Sequence, residues 1–436
     1  MKSIWNKDIE FKKYPSLKGD IKTDVLIIGG GMCGILCAYM LKNKGVDCVV
    51  AEADRILRGV TNNTTAKVTV QHGLIYDKLL KKYGIEKAYL YYDSQKSALD
   101  KIKEISSKTG NFEMCSSYVY SVNNRDIIER ELKALSSIGV KAEFSETTEL
   151  PFDISGAVKL KYQGKFHPFK FALNISKNLE ICEDTLITKI KDNIAFTGKG
   201  KIEAKKIIVA THFPFINKHG GYFLKMYQQR SYVLALENAV KINDMYVDEA
   251  DGGLSLRGYN DVLLLGGGGH RTGKQGGGWA ELEKAVKKYY PNAREITRWA
   301  TQDCMTLDGI PYIGRYYNRY ADLYVATGFN KWGMTSSMVS AMILTDMIME
   351  RKNKYLDLYS PSRNLLHPQL AVNIGEAVSG MITLRTPRCP HMGCALKYNK
   401  AEHSWDCSCH GSRFDKTGKV INNPATKDKK CPIKRK

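Results

Sequence analysis

The sequence predicts an α/β protein followed by a smaller unit of short strands. The first observation is a repeated alternation of β-branched apolar runs with helix-like segments over about residues 20–350. The second is a polar, proline-containing connector over residues 351–372, after which short strands and turns follow. A chain of 436 residues also has room for about three units of roughly 150 residues each, so more than one core is expected.

The order of elements at the start of the chain is that of a strand–helix–strand unit. Residues 23–28 form a β-branched apolar run that is typical of a strand buried on both faces of a parallel sheet. A helix follows at about 33–44, and residues 47–52 form the next strand. The later elements are predicted as strands at 206–211, 261–266 and 322–326 and as helices at about 86–108, 125–138, 279–290 and 334–350.

Composition and charge exclude several classes of protein. With 43% hydrophobic and 25% charged residues, the chain is not intrinsically disordered over most of its length. The net charge of +21 is mostly dispersed, apart from a basic tail at 427–436, so we expect no nucleic-acid partner. Neither a signal peptide nor a membrane-spanning run of 18 apolar residues is found, so we expect a cytoplasmic protein without a membrane span.

The turn after the first strand carries a dinucleotide fingerprint. Gly29, Gly31 and Gly34 satisfy G-x-G-x-x-G between a strand and a helix. The first glycine allows the tight turn, the second lets the backbone approach a pyrophosphate, and the third lets helix and strand pack closely. Glu52 ends the second strand, where its carboxylate can accept hydrogen bonds from an adenosine ribose. A glycine turn without a ligand is the alternative.

A second glycine run follows a later strand at residues 266–269. It lacks the third glycine of the fingerprint, and no acidic residue ends a following strand. We therefore do not expect a second nucleotide site for NADH or NADPH.

Over about residues 20–355 the sequence resembles the FAD-dependent oxidoreductases of the D-amino-acid oxidase type. Besides the fingerprint and Glu52, the resemblance rests on the stretch 59–67, on the end of the strand at 206–211, and on the run 324–335. It implies that FAD is also bound at Thr61, Thr64, Thr65, Ala210, Gly328, Gly333, Met334 and Thr335. Ordinary caps and turns are the alternative for the threonines, and a helix start without a ligand is the alternative for residues 333–335.

The same resemblance implies a Rossmann-like FAD-binding domain with an interleaved α+β substrate domain over residues 1–355. The expected parts are FAD-binding segments at about 20–75, 165–215 and 300–355, and a substrate layer at about 76–164 and 216–299. The catalytic residues are not identified. Candidates that could hold a carboxylate or influence the flavin are Arg230, His270, Arg271 and Lys331, with solvated or packing roles as the alternative.

The C-terminal unit contains two boxes of cysteine and histidine. Cys389 and His391 form the first box, and Cys407 and His410 form the second. Two cysteines and two histidines could bind zinc. However, each box carries an additional cysteine, at 394 and 409, and a glycine that leaves the backbone free to curl around inorganic sulfide, which favours an iron–sulfur cluster.

Over about residues 370–425 these boxes resemble the Rieske [2Fe-2S] proteins. The resemblance implies a small antiparallel all-β domain at 370–436, after a linker at 356–369 and with the basic tail at its end. It also implies that Cys389 and Cys407 bind one iron, that His391 and His410 bind the other, and that Cys394 and Cys409 can form a disulfide, although a reducing compartment argues against it. Ser412 keeps a hydroxyl that the family bonds to the cluster, whereas Phe414 stands in the place of a tyrosine donor.

Together the two centres predict a flavin-dependent dehydrogenase. An amine, an amino acid or a related small donor would reduce FAD, and the [2Fe-2S] cluster would relay single electrons to an acceptor such as a one-electron carrier protein. One alternative is an oxidase that uses oxygen. Another is a redox-sensing or electron-storage protein without its own turnover.

Overall fold

Two large β-sheets and a small antiparallel sheet form the framework of the part of the chain that is described. The computed structural model describes residues 3–7, 9–107, 110–216, 219–364, 366–383 and 386–429. The helices are Met32–Lys42, Tyr76–Ser107, Arg125–Ser137, Pro168–Ser176, Tyr222–Lys225, Gly278–Tyr289, Gly333–Ile348, Leu356–Tyr359 and Pro368–Ile382, with short 3₁₀ turns at Ile4–Asn6 and Val60–Asn63.

The first sheet has a parallel centre that fits the predicted strand–helix–strand unit. In sheet order its strands are Tyr312–Arg315, Leu323–Thr327, Gly200–Val209, Ile21–Ile28, Cys48–Ala51 and Glu180–Cys182, while Ile194–Thr197 pairs with Gly200–Val209 and Lys189–Lys191 pairs with Ile194–Thr197. The four strands from Leu323–Thr327 to Cys48–Ala51 are mutually parallel, so their carboxyl ends lie at one edge. Both faces of these strands are buried, which agrees with their content of β-branched apolar side chains.

The second sheet is mixed and draws most of its strands from the ranges predicted as the substrate layer, a division that stays a prediction. In sheet order its strands are Arg294–Thr306, Met226–Glu237, Val262–Arg271, Ser255–Tyr259, Met245–Asp248, Phe112–Ser121, Gly156–Phe166 and Lys67–Val68, with Glu143–Ser145 paired to Gly156–Phe166. The predicted α/β class, with a mixed second sheet, is therefore confirmed.

All five predicted helices are present, but the long one begins earlier than predicted. Four helices of the described chain were not predicted: Pro168–Ser176, Tyr222–Lys225, Leu356–Tyr359 and Pro368–Ile382. The long helix begins at Tyr76 rather than at about residue 86, because a further helical stretch precedes a kink at Gly84, whose φ is 81°. The helix Pro368–Ile382 was not predicted at all. Its proline occupies the first turn, where a missing N–H costs nothing, and the His367 side chain accepts a hydrogen bond from Gln369 N–H. The proline that indicated a connector thus starts a helix.

The segment predicted as a linker, residues 356–369, is fixed to the first unit. It contains the helix Leu356–Tyr359, whose Tyr359 is fully buried. Arg363 forms a two-pronged ion pair with Asp308, with N–O distances of 2.7 and 2.8 Å. The exact domain boundaries stay a prediction, but these residues do not behave as a free tether.

The small sheet follows as predicted for the C-terminal unit. Its four strands, Leu396–Asn399, Ser404–Cys407, Arg413–Phe414 and Val420–Asn422, pair antiparallel in chain order. Residues 430–436 of the basic tail lie outside the described residues. Among the helices of the described chain, none combines the length and apolar composition needed to cross a bilayer.

A buried ionic network joins the small sheet to the second sheet. Arg230 donates to Glu402 through Nε at 3.0 Å and also through Nη2, and Arg413 donates to the same carboxylate at 2.8 Å. Arg413 further donates to Asp406 at 2.9 Å. None of these side chains is more than 11% exposed, so the carboxylates compensate both guanidinium groups in a low-dielectric interface.

We predict that Glu402→Leu lowers the free energy of unfolding by about 3–5 kcal/mol, since it leaves Arg230 buried without its carboxylate partner. Urea unfolding followed by tryptophan fluorescence measures the change. The matched control is Lys400→Leu, an exposed position in the same turn, which should change stability by no more than about 0.5 kcal/mol. Equal stability of the two variants would contradict a structural role for the network.

Candidate functional site

A large cavity lies at the carboxyl edge of the parallel strands. Its volume is about 1270 Å³, and its wall includes Gly29, Glu52 and Ala210, the residues that directly follow three of these strands. This edge is where open α/β sheets bind ligands. Thr301 and His212, also in the wall, each keep a buried polar atom without a hydrogen-bond partner in the described part of the chain. The cavity therefore has the place, size and unused polar atoms that a dinucleotide requires.

The three fingerprint glycines have different physical roles. A Cβ on Gly29, whose φ is 109°, would lie 2.6 Å from the Ala210 carbonyl oxygen, and one on Gly34 would lie 1.9 Å from the Gly29 oxygen. These two glycines are thus required by packing. A Cβ on Gly31 would meet only Thr61 Oγ1 at 3.5 Å, and Gly31 lines the cavity. Its missing side chain therefore leaves room for a ligand rather than for the protein.

Glu52 and Thr61 hold the glycine turn in shape. Glu52 accepts hydrogen bonds from Gly30 N–H at 2.6 Å and Asp54 N–H at 3.0 Å, which leaves lone pairs on both oxygens for ribose hydroxyls. Burial raises the pKa of Glu52 above its usual value. Thr61 accepts from Met32 N–H at 3.0 Å, so its hydroxyl caps the first turn of the helix as well as lining the cavity.

The threonine-rich segment is held by donors to its carbonyl groups. Trp299 donates to Asn63 O at 3.0 Å, and Trp5 donates to Thr64 O at 2.7 Å. Arg257 donates to the carbonyl oxygens of residues 65 and 66, the second at 2.7 Å. Four successive carbonyls are thereby occupied, which fixes the backbone of this segment in the cavity wall.

The structure brings most of the predicted FAD-binding residues into one wall. The cavity is lined by Gly29, Gly31, Glu52, Thr61, Thr64, Thr65, Ala210, Gly333 and Met334. Three others lie outside it: Gly34 packs helix on strand, Gly328 packs against Thr306, and the Thr335 hydroxyl bonds to His72. We keep these three as supporting residues rather than ligand contacts.

The four substrate candidates are placed differently from one another. Lys331 and Arg230 line the cavity, but the Arg230 guanidinium forms an ion pair with Glu402. His270 lies outside the wall and its Nε2 bonds to Tyr232 Oη at 2.9 Å. Arg271 donates to the Ser408 carbonyl at 3.2 Å, in the interface with the small sheet. His270 and Arg271 thus lie outside the described cavity wall, and their contacts fit the packing alternative given for them. A contact of either residue with substrate stays a prediction.

Other wall residues were not selected from the sequence. Lys67 is the last residue of the threonine-rich stretch 59–67 and was not itself proposed as a site residue. Glu402 and residues 419–423 belong to the C-terminal unit. Asp303, adjacent in the sequence to buried Gln302, also lines the cavity. Burial raises the pKa of Asp303 to about 6, while Lys331 and Arg230 oppose this shift. In the sequence, Asp303 ends the run 299–303, which with residues 308–311 resembles the family's last approach to the flavin, with a structural turn as the alternative.

The second glycine run lies partly in the cavity wall and partly in a helix–sheet contact. Residues 266–269 lie within the strand Val262–Arg271, where the register against Met226–Glu237 is irregular. A Cβ on Gly268, whose φ is 60°, would lie 2.3 Å from the Gly278 carbonyl oxygen. Gly268 thus admits the helix Gly278–Tyr289 against the sheet, whereas Gly266, Gly267 and Gly269 line the cavity.

The two Cys/His boxes form a pair of similar loops. Gly393 N–H donates to Cys389 O, and Gly411 N–H donates to Cys407 O, both at 2.9 Å. Both glycines have a φ of 80°, a conformation that favours glycine. The loops therefore fold alike and bring their first cysteines to equivalent positions.

The side chains of these loops converge as a metal centre requires. The thiols of Cys394, Cys407 and Cys409 lie within 4.8 Å of one another, and all three are unbridged in the structure. The His391 and His410 rings are 4.9 Å apart, and His410 Nδ1 is buried without a hydrogen-bond partner among the described residues. Burial lowers the pKa of His391 to about 3 and that of His410 to about 4, so both rings are neutral, the form that binds a metal.

One short segment connects the cavity with the candidate metal centre. Ala210, Thr211 and His212 line the cavity, and the next side chain, Phe213, contacts the His391 and His410 rings at centroid distances of 6.5 and 6.4 Å. Asn423 donates to the carbonyls of Thr211 and Phe213 at 2.6 and 2.8 Å. Phe213 thus lies directly between the wall segment and the two histidine rings.

Comparisons with known proteins agree with both sites. Residues 24–347 match the model of the FAD dependent oxidoreductase family, and residues 360–433 match that of the Rieske [2Fe-2S] domain. The chain is 32% identical to YhfW of Bacillus subtilis (strain 168), whose name describes it as a Rieske 2Fe-2S iron-sulfur protein, over 98% of this chain and 96% of that protein.

Solved structures show the same fold for the first unit. L-proline dehydrogenase from P. horikoshii superposes with a TM-score of 0.65 at 19% identity, covering 80% of this chain and 98% of its own. Glycine oxidase from Geobacillus kaustophilus superposes with a TM-score of 0.65 at 16% identity, covering 79% of this chain and 99% of its own.

We predict that Gly31→Val weakens FAD binding by about tenfold or more in Kd, which corresponds to losing at least ~1.4 kcal/mol, because the new side chain enters the cavity. Iron content and the unfolding midpoint should stay near those of the unmodified protein. Gly34→Ala is the contrasting variant, since its Cβ meets backbone at 1.9 Å and should lower the unfolding temperature instead. Titration of the flavin-free protein with FAD and thermal unfolding measure the two effects. An unchanged Kd for FAD in Gly31→Val would contradict this placement of the pyrophosphate.

We also predict that Ser412→Ala lowers the midpoint potential of the cluster. The Ser412 hydroxyl acts to lower the pKa of the Cys389 thiol and accepts a hydrogen bond from Ala425 N–H at 3.0 Å, whereas the buried Phe414 ring offers no donor. Losing a hydrogen bond to a charged group, worth about 1.5–3 kcal/mol, corresponds to roughly 60–130 mV for one electron. Redox titration followed by electron paramagnetic resonance measures the shift, with Ser379→Ala as an exposed control. An unchanged potential would remove Ser412 from the cluster environment.

Proposed function

Because the chain belongs to the FAD-dependent oxidoreductase family and carries a Rieske [2Fe-2S] domain, we propose that it is a dehydrogenase that couples the two centres. An amine, an amino acid or a related small donor is oxidised at FAD, and single electrons leave through the cluster to a carrier protein. Its cytoplasmic location stays a prediction.

The observation that carries this proposal is the shared wall between the two sites. His212 lines the cavity and Phe213 contacts both candidate histidine ligands. FAD supplies acceptance of two electrons and release of one at a time, and a [2Fe-2S] cluster takes one. A protein that only used oxygen would have no need to hold the histidine rings of a one-electron centre next to a segment of the cavity wall. This arrangement favours a dehydrogenase over an oxidase.

The donor class is supported by the chemistry of the cavity wall. Asp303 has a carboxylate whose pKa, raised by burial to about 6, suits accepting a proton from an amine near neutral pH. The two solved structures of the same fold are, by their titles, a proline dehydrogenase and a glycine oxidase. Both names refer to amino acids, so we extend that class to this chain as part of the proposal.

The buried network at Glu402 supports a fixed relation between the sites. Gln228 donates to His410 O at 2.7 Å and Gln302 donates to Gly411 O at 2.8 Å. Both glutamines lie on strands of the second sheet. The second cluster loop is therefore bound to the cavity wall by direct hydrogen bonds, and no domain movement is needed to bring the two together.

We predict that an amine or an amino acid bleaches the flavin anaerobically, whereas NADH and NADPH at micromolar concentration do so poorly. A screen of amines, amino acids and hydroxy acids, followed at the flavin absorbance band, tests this. In the same samples the cluster signal should change with the flavin, and His410→Ala should keep the bleach while losing the cluster signal. Rapid reduction by NADH, or no reduction by any amine or amino acid, would contradict the proposal; the latter result would favour a sensing or storage protein.

A further inference from the structure

Lys67 places a buried ammonium group in the cavity wall without a carboxylate beside it. The residue is 9% exposed, and Nζ donates to Ser255 Oγ at 2.6 Å and to Thr65 Oγ1 at 3.3 Å. Both acceptors are neutral hydroxyl groups. Within the described chain, no aspartate or glutamate pairs with this ammonium group.

Arg257 adds a second buried positive charge to the same region. Its guanidinium donates to Ala66 O at 2.7 Å and Phe166 O at 3.0 Å, which are again neutral acceptors. Burial and the charge of Arg257 lower the pKa of Lys67 to about 7. Lys67 is therefore only partly protonated at neutral pH, and an anion bound beside Nζ would stabilise its charged form.

The other basic side chains of the described wall are already paired or exposed. Arg230 and Arg413 share Glu402, and Arg55 pairs with Glu183 at 3.3 Å. The remaining three, Arg58, Lys331 and Lys419, are exposed to solvent. Lys67 is therefore distinguished from them by being buried, unneutralised and part of the cavity wall at once.

The position of Lys67 favours a contact with the electron donor over a contact with the pyrophosphate of FAD. Lys67 and Ser255 lie on strands of the second sheet, whereas the pyrophosphate turn at Gly29–Gly34 belongs to the first. Trp279, which also lines the cavity, has an indole N–H without a hydrogen-bond partner in the described residues. We propose that Lys67 and Ser255 form an anion subsite that binds the acid group, a carboxylate or a phosphate, of the electron donor. The identification of the bound molecule as the electron donor rests on the proposed function. The binding of an anion at this subsite does not require turnover.

The test measures the binding of unreactive anions to the FAD-loaded protein. Benzoate and glycerol 3-phosphate are the anionic probes, and benzamide and glycerol are their uncharged counterparts. Perturbation of the flavin absorbance gives the dissociation constants, and thermal shifts provide a second readout. We expect one of the two anions to bind clearly more tightly than its uncharged counterpart, which also distinguishes a carboxylate site from a phosphate site.

The decisive variant is Lys67→Met, and Lys165→Met is its matched control. Lys165 lies directly opposite Lys67 on the neighbouring strand and is 3% exposed, but its Nζ bonds to Asn243 O at 2.7 Å and Glu113 at 2.9 Å, outside the cavity wall. Lys67→Met should weaken anion binding by about tenfold or more, equivalent to losing at least one charge-assisted hydrogen bond. Lys165→Met should change it less than about twofold.

Ser255→Ala provides a milder variant that removes only the hydroxyl and should weaken anion binding about threefold, so that the test does not depend on Lys67→Met folding. The inference is overturned if anion binding is the same in Lys67→Met and Ser255→Ala as in the unmodified protein, or if neither anion binds better than its uncharged counterpart. It is also overturned if Lys67→Met loses FAD while the anion affinity of its remaining FAD-loaded fraction is unchanged. If no amine or amino acid reduces the flavin but anion binding still depends on Lys67, the proposed function fails and the subsite stands.

Discussion

The carboxylate of Glu402 is the point at which the buried charges of the small sheet and the second sheet are neutralised. It is shared by Arg230 from the second sheet and Arg413 from the small sheet, and all three side chains are nearly or fully removed from solvent. Because two guanidinium groups approach each other there, the interface is favourable only with the carboxylate in place. The backbone contacts of Gln228 and Gln302 with the second cluster loop are possible only in this docked arrangement.

Local patterns were sufficient to predict much of the framework. The strands Ile21–Ile28 and Cys48–Ala51 and the helix between them lie within about two residues of the predicted ranges, because β-branched runs and a glycine turn determine them locally. The helix Pro368–Ile382 was missed because proline is compatible both with a connector and with a first helical turn. Local sequence does not distinguish these two uses; the cap from His367 does, and it is a property of the folded chain.

The candidate site was predictable where chemistry is encoded by spacing and not where it depends on packing. Gly31, Thr64 and the two Cys/His boxes are recognised from their order along the chain. The pairing of Arg230 with Glu402 joins residues 172 positions apart, so no local pattern indicates that the arginine is unavailable to a substrate. For the same reason, Lys67 gains its significance only when the fold places Ser255 beside it and leaves no carboxylate nearby.

The contribution of the C-terminal unit to the cavity wall has a consequence for biosynthesis. Residues 419–423 line the same cavity as the glycine turn at the beginning of the chain. A ribosome therefore completes the binding wall for the flavin only after nearly all of the described sequence has been made. Closure of the cavity around the flavin is therefore expected to follow the docking of the C-terminal unit.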